Sequence, residues 1–244
     1  MPGPASPSER RQSIRAGVVW TAVQDLLDDT DGRPARIVDV GGGTGGFAVP
    51  LAQLGHRVEV IDPSPDALAA LDRRAREADV ADRVTAQQGD LADLATIVEA
   101  GAVDLVLCHG VLEVVDDPAA ALATIASVLR PGGHLSLLVA QRHAAVVARA
   151  MAGHFQAARD LLDNPSAGRG GHRFAAEELE PLLATAGLST VTIHGVRVFA
   201  DLVPGSLLDL EPGATAALVE LESVVSTRAE FLPLATQLHA LARR

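Results

Sequence analysis

Lysine is missing from this 244-residue chain: its 20 non-histidine basic residues are all arginine, against 31 aspartates and glutamates, for a net charge of −11. A polyanion is repelled by such a chain as a whole, whereas nucleic-acid binders usually carry a basic face, so an RNA partner would need a local arginine cluster. Tyrosine is also missing, tryptophan occurs once (Trp20) and aromatics make up 2% of residues, which leaves few platforms for stacking on bases. With one cysteine, Cys108, no internal disulfide can close. No apolar run approaches the roughly 18 residues that read as a membrane span, and Met1 to Arg11 has no apolar core ahead of a cleavage site. These absences predict a soluble, unexported protein in a reducing cytoplasm, with no membrane partner.

What is present is hydrophobic residues, at 48%, in a chain long enough for one domain with a sizeable core. Residues 1–11 are rich in turn formers and read as a disordered tail. Residues 12–244 read as a single domain. A helix from Gln12 to Leu27 carries apolar residues at helical spacing and is stopped at Asp31-Gly32-Arg33-Pro34. Strands are expected at Ile37 to Val40, Val58 to Ile61, Val84 to Gln87, Leu105 to Cys108 and Leu135 to Val139. Between them lie helices at Gly46 to Leu54, Ser64 to Ala78 with Ser64 as cap, Leu91 to Ala100 and Pro118 to Leu129. Strict alternation implies right-handed crossovers and a parallel sheet covered on both faces, a doubly wound α/β fold. After Gln141 the alternation breaks. A helical stretch (Ala144 to Leu162) and the flexible Asn164 to Gly171 form an insertion over residues 142–174, where substrate-covering elements sit in such folds. A helix from Ala176 to Ala186, a strand from Thr190 to Phe199, a helix from Ala214 to Ser226 and a weakly marked segment from Leu234 to Leu241 finish the chain.

The sharpest motif is Gly41-Gly42-Gly43-Thr44-Gly45-Gly46 after the first strand, with Asp62 at the end of the second. Glycines let the backbone approach a ligand closely, and the carboxylate accepts hydrogen bonds from vicinal ribose hydroxyls. Read literally, Gly41, Gly43 and Gly46 satisfy G-x-G-x-x-G, which serves nicotinamide dinucleotides and S-adenosylmethionine alike. A dehydrogenase therefore stays open at this point.

Three further features resemble the class I S-adenosylmethionine-dependent methyltransferases: Val38-Asp39-Val40 ahead of the glycines, Gln88-Gly89-Asp90-Leu91 after the third strand, and Val128-Leu129-Arg130-Pro131-Gly132-Gly133 before the fifth. The resemblance implies a Rossmann-like, mostly parallel seven-stranded sheet and S-adenosylmethionine as cofactor. It implies that Asp39 helps fix the loop and the ammonium end of the methionine moiety, that Asp90 accepts from the adenine amino group, and that Leu91 offers a backbone N–H to the ring. Within that class the chain resembles the bacterial tRNA 5-carboxymethoxyuridine methyltransferases. The residues that carry this are Ile14-Arg15 with Trp20, the run His109 to Pro118, Met151-Ala152-Gly153-His154-Phe155, Gly195-Val196-Arg197-Val198-Phe199-Ala200-Asp201 and Leu218 to Glu222. By this resemblance Arg15 reaches the methionine carboxylate. Where those enzymes carry a lysine-rich stretch, this chain has Leu161 to Gly168, with an acid and no lysine, so phosphate contacts that dominate nucleic-acid affinity are lost there.

The expected cofactor set is thus Arg15, Asp39, Gly41, Gly43, Gly45, Asp62, Asp90, Leu91 and Cys108, the last at the end of the fourth strand. The expected acceptor is a small molecule or tRNA bearing a carboxylate or a hydroxyl. A carboxylate is already ionised at neutral pH and needs an anchor rather than a base, for which Arg197 comes first and Arg173 second. A hydroxyl must lose a proton, and His109 is the natural base because imidazole titrates near neutrality. His143, His154 and His172 lack ligand spacing, so no metal is expected. A cofactor binder without turnover is the alternative outside enzymes.

Overall fold

The computed structural model describes residues 7–28, 32–210 and 213–244, with side chains for 17–28, 32–208 and 213–244. In chain order the elements are α1 (Pro7–Asp28), β1 (Arg36–Val40), α2 (Ala48–Gln53), β2 (Arg57–Asp62), α3 (Pro65–Glu77), β3 (Val84–Gln88), α4 (Leu94–Ile97), β4 (Val103–His109), α5 (Pro118–Val128) and β5 (Leu129–Ala140). They continue as α6 (Arg142–Met151), α7 (Phe155–Asp163), α8 (Ala176–Thr185), β6 (Ser189–Val196), α9 (Gly205–Leu210), α10 (Ala214–Val225) and β7 (Gln237–Arg243). The seven strands form one sheet in the order β3-β2-β1-β4-β5-β7-β6, mostly parallel with one antiparallel hairpin end. By contacts the chain divides into two compact units.

The first unit (residues 27–139, 177–191 and 240–244) contains β1 to β4 and nearly all of β5. Ile37 to Val40 are all buried, as parallel strands covered on both faces require. Parallel registers pair Val40 with Ile61 of β2 and with Cys108 of β4, so β1 ends beside both. Helix α3 shows how locally the folding is written. Ser64 accepts from the Ala67 N–H at 3.3 Å, Pro65 opens the first turn, Asp66 sits at the positive helix end, and Arg74 and Arg76 at the negative one.

Strand β5 begins six residues before the expected Leu135. Helix α5 stops at Val128 as the Pro131-Gly132-Gly133 break requires, but the backbone stays extended there. Gly132 N–H donates to the Arg244 carbonyl and Arg244 N–H to the Gly133 carbonyl, both at 2.9 Å. A Cβ at Gly133 would lie 2.9 Å from the Val103 carbonyl oxygen, so glycine lets the strands close up.

The second unit (residues 1–26, 140–176 and 192–239) holds α6, α7, α9 and α10. Here the expected single helix from Ala144 to Leu162 is two, because Gly153 adopts φ +78° and ends α6. The expected strand from Thr190 to Phe199 stops at Val196, because Arg197 turns left-handed at φ +58° and β pairing cannot continue through it. Strand β7 overlaps the weakly marked segment from Leu234 to Leu241 and runs two residues past it, and α9 was not anticipated. Helix α1 starts at Pro7, before the expected Gln12, and residues 1–6 lie outside the described ones.

Candidate active site

The sheet order reverses direction between β1 and β4, and ligands of open α/β sheets bind outside the carboxyl ends of the strands at such a point. A cavity of about 830 Å³ opens there, lined by Gly41, Asp62, Asp90, Leu91 and His109 among others. That volume suits a cofactor-sized ligand.

The glycine turn is built on conformations other residues avoid: Gly41, Gly43 and Gly45 have φ of +70°, +55° and +80°. Each is also crowded or close to a functional carboxylate. A Cβ at Gly41 would lie 2.5 Å from Val111 Cγ2, and one at Gly45 would lie 2.3 Å from Leu71 Cδ1. Gly42 has ordinary φ, yet a Cβ there would strike the Asp39 carboxyl at 2.5 Å. Asp39 is therefore tucked under the turn, 3% exposed. Burial, reinforced by the charge of Asp62, pushes its carboxyl up to about 7.

Asp62 ties the turn to the next loop: Oδ2 accepts from Gly43 N–H and Oδ1 from Ser64 N–H, each at 2.9 Å. A carboxylate has about four acceptor sites, so lone pairs remain for a pair of vicinal hydroxyls. Asp90 Oδ1 accepts from Ala92 N–H at 2.7 Å, a local turn bond, while the cap position of α4 is Asp93. His109 closes the floor, with Nε2 2.9 Å from Ser136 Oγ and its ring edge-on to Phe47 at 4.8 Å.

Five expected site residues thus come together around one cavity. Asp39, Gly43 and Gly45 shape it from behind without lining it. Cys108 is fully buried in β4, its thiol pushed up to about 12 by burial and by the carboxylates of Glu113 and Asp39, and it too is absent from the lining. The Arg15 side chain lies outside the described residues. Arg173 donates within its own loop, to the carbonyls of Ala167, Arg169 and Gly171. The cavity wall from Gly110 to Asp117 had no assigned role in the sequence, although His109 to Pro118 stood out there. Val114 lines this wall while 71% exposed, an apolar side chain left at an open mouth. Among the described residues, no three or more His, Cys, Asp or Glu side chains cluster to hold a metal ion, and no helix is long and apolar enough to cross a membrane.

In the second unit, Arg197 lies directly after β6, as the left-handed residue that ends the strand. Its Nη1 is 3.5 Å from Asp201 Oδ2 and its Nη2 is 3.5 Å from Gln237 Oε1, whereas its buried Nε–H meets no acceptor among the described residues.

A doubly wound sheet with a left-handed glycine turn after β1 and an aspartate ending β2 defines the class of nucleoside-cofactor folds, which dehydrogenases and methyltransferases share. The sequence model of the family described as "Methyltransferase domain" matches residues 11–193, and the chain belongs to that family. It is an S-adenosylmethionine-dependent methyltransferase. Among curated relatives, it is 29% identical to the tRNA 5-carboxymethoxyuridine methyltransferase of Escherichia coli (strain K12), over 95% of this chain and 88% of that one. It is 33% identical to the ubiquinone biosynthesis O-methyltransferase of Xanthomonas euvesicatoria pv. vesicatoria (strain 85-10), over 80% and 76%. Among solved structures, magnesium protoporphyrin IX methyltransferase from Synechocystis PCC 6803 with bound SAH is similar at a TM-score of 0.68 and 19% identity, covering 100% of this chain and 90% of that one.

Proposed function

We propose that this methyltransferase forms a methyl ester on a carboxylate carried by a small molecule or by tRNA, with Arg197 as the anchor. The observation that carries the reading is the Nε–H of Arg197, buried without an acceptor among the described residues. An N–H buried without an acceptor is costly, and a guanidinium binds a carboxylate through two parallel hydrogen bonds, Nε–H and one Nη–H. Further support comes from the extent of the match to the tRNA enzyme, which spans 233 residues against 198 for the ubiquinone one.

S-adenosylmethionine supplies an electrophilic methyl group on a sulfonium. The Gly41 to Gly45 turn gives close backbone approach, Asp62 and Asp90 hold the nucleoside end, and the ionised Asp39 favours the ammonium end. In-line transfer asks the protein to align the acceptor oxygen and exclude water rather than to move a proton. Arg197 should hold one carboxylate oxygen and leave the other for the methyl group, because a tight grip on both would stabilise the charge that transfer neutralises.

One observation favours a second reading, a hydroxyl acceptor: His109 lines the cavity at the end of β4, where an imidazole can take a proton. The test is a panel of carboxylate and hydroxyl acceptors, including hypomodified tRNA, assayed with the parent, Arg197→Ala and His109→Ala. Carboxylate turnover with a KM raised about tenfold or more by Arg197→Ala is expected. Turnover confined to hydroxyls, abolished by His109→Ala and indifferent to Arg197→Ala, overturns the ester reading.

A further inference from the structure

Glu222 on α10 is a fully buried carboxylate, and the reaction as described gives it nothing to do. Its oxygens accept three successive backbone N–H groups: Val198 at 2.8 Å on Oε2, and Phe199 at 2.8 Å and Ala200 at 2.7 Å on Oε1. Three consecutive amides converging on one anion require the chain to curl, and the residue before them, Arg197, carries the left-handed φ of +58°. A non-glycine residue adopts that conformation only when its surroundings overdetermine it.

The other side of the curl is also held. The Arg197 carbonyl accepts from Thr236 N–H at 3.2 Å, and Thr236 Oγ1 lies 3.2 Å from the same carbonyl. The same hydroxyl lies 2.7 Å from Asp201 Oδ2, the oxygen that pairs with the Arg197 guanidinium. Gly195 N–H donates to the Ser226 carbonyl at 2.6 Å just upstream. Backbone and side chain of Arg197 are therefore held by Glu222, Thr236, Asp201 and Gln237.

We infer that Glu222 and Thr236 are positioning residues for the acceptor: they lock the turn after β6 so that Arg197 keeps its Nε–H and an Nη–H ready for a carboxylate. This rests on the ester reading. A buried apolar turn packed on Val225, Ala235 and Phe231 would give stability without any carboxylate. Spending a buried charge on three amides instead fixes one backbone geometry, at the residue whose side chain must be aimed.

The test is a double-mutant cycle of Glu222→Gln, Glu222→Asp and Thr236→Val, each alone and with Arg197→Ala, using the carboxylate acceptor that the panel identifies. A glutamine oxygen cannot serve all three amides, an aspartate is one methylene short, and valine removes the hydroxyl bonds while keeping the shape. Each single variant should raise the acceptor KM about tenfold, leave kcat and S-adenosylhomocysteine affinity within about twofold, and add nothing in the Arg197→Ala background. If Glu222 variants do not fold, Thr236→Val carries the same expectation alone. Effects that multiply through in the Arg197→Ala background, or that fall equally on cofactor affinity, overturn the inference. An Arg197→Ala enzyme with an unchanged KM instead removes the ester reading, and this inference with it.

Discussion

Strands β1 and β4 carry a buried aspartate near each end of the pair, and the two carboxylates are treated in opposite ways. Asp104, at the amino end of β4, accepts from the Arg33 guanidinium, from the Arg36 N–H at 2.8 Å and from Arg130. Burial alone would raise it, yet these partners hold it well below the usual carboxylate range. Asp39, near the carboxyl end of β1, is pushed up to about 7 by burial first and by the neighbouring charge of Asp62 second. The amino end of this pair thus surrounds its aspartate with two guanidinium groups and an amide, whereas the carboxyl end leaves its aspartate buried beside a second carboxylate. We expect the first arrangement to serve stability and the second to lie near the ligand, since ligands of open α/β sheets bind at the carboxyl ends of the strands.

The largest effect should come from filling the turn at the ligand end. Gly45→Ala puts a Cβ against Leu71 at a left-handed φ, and strain plus overpacking should remove about 2–4 kcal/mol of stability. Denaturant unfolding measures it, and a loss under ~0.5 kcal/mol would mean the turn is not geometrically constrained.

A sharper separation of the two ends comes from Asp62→Ala and Asp104→Asn. Removing Asp62 should weaken S-adenosylhomocysteine binding by about 1–3 kcal/mol by calorimetry. Asp104→Asn should leave that affinity unchanged and lower stability at pH 7 by about 1–2 kcal/mol, discounted because Arg33 is half exposed. An acid with a depressed folded pKa stabilises above its unfolded value and loses that contribution as pH falls, so the Asp104→Asn deficit should fade below pH ~4. Equal effects of both variants on cofactor affinity would erase the distinction.

The smallest effect concerns Asp39. A raised folded pKa costs stability as pH climbs from about 4, with the penalty complete above about 7. The cofactor ammonium favours the ionised form, so binding should release a proton near pH 7 and tighten by at most about tenfold from pH 6 to 8. Calorimetry in buffers of different ionisation enthalpy detects the proton, and Asp39→Asn should abolish the difference. Identical apparent enthalpies in the parent would refute the pairing.

Much of this end of the molecule is legible in the residue order. Glycines after a β-branched run, Asp62 one strand later and Ser64 before Pro65 act within a few residues of themselves, so local chemistry suffices. Arg197 is the contrary case. Read by pattern, Thr190 to Phe199 is a strand, and the reason it ends at Val196 lies in Glu222 and Thr236, more than twenty residues away in sequence. Strand β7 is equally illegible, because its short apolar run is only weakly marked until Gly132 and Gly133 give its end a backbone partner.

By itself, then, the sequence determined the alternation of strands and helices, the cofactor turn and the family, since hydrophobic period, glycine conformation and capping are properties of neighbouring residues. Only the tertiary structure decided which aspartate is held low and which is pushed up, which cavity the loops enclose and how Arg197 is held. Those depend on burial and on hydrogen bonds between distant segments, and a carboxylate's ionisation is set by what surrounds it rather than by what precedes it.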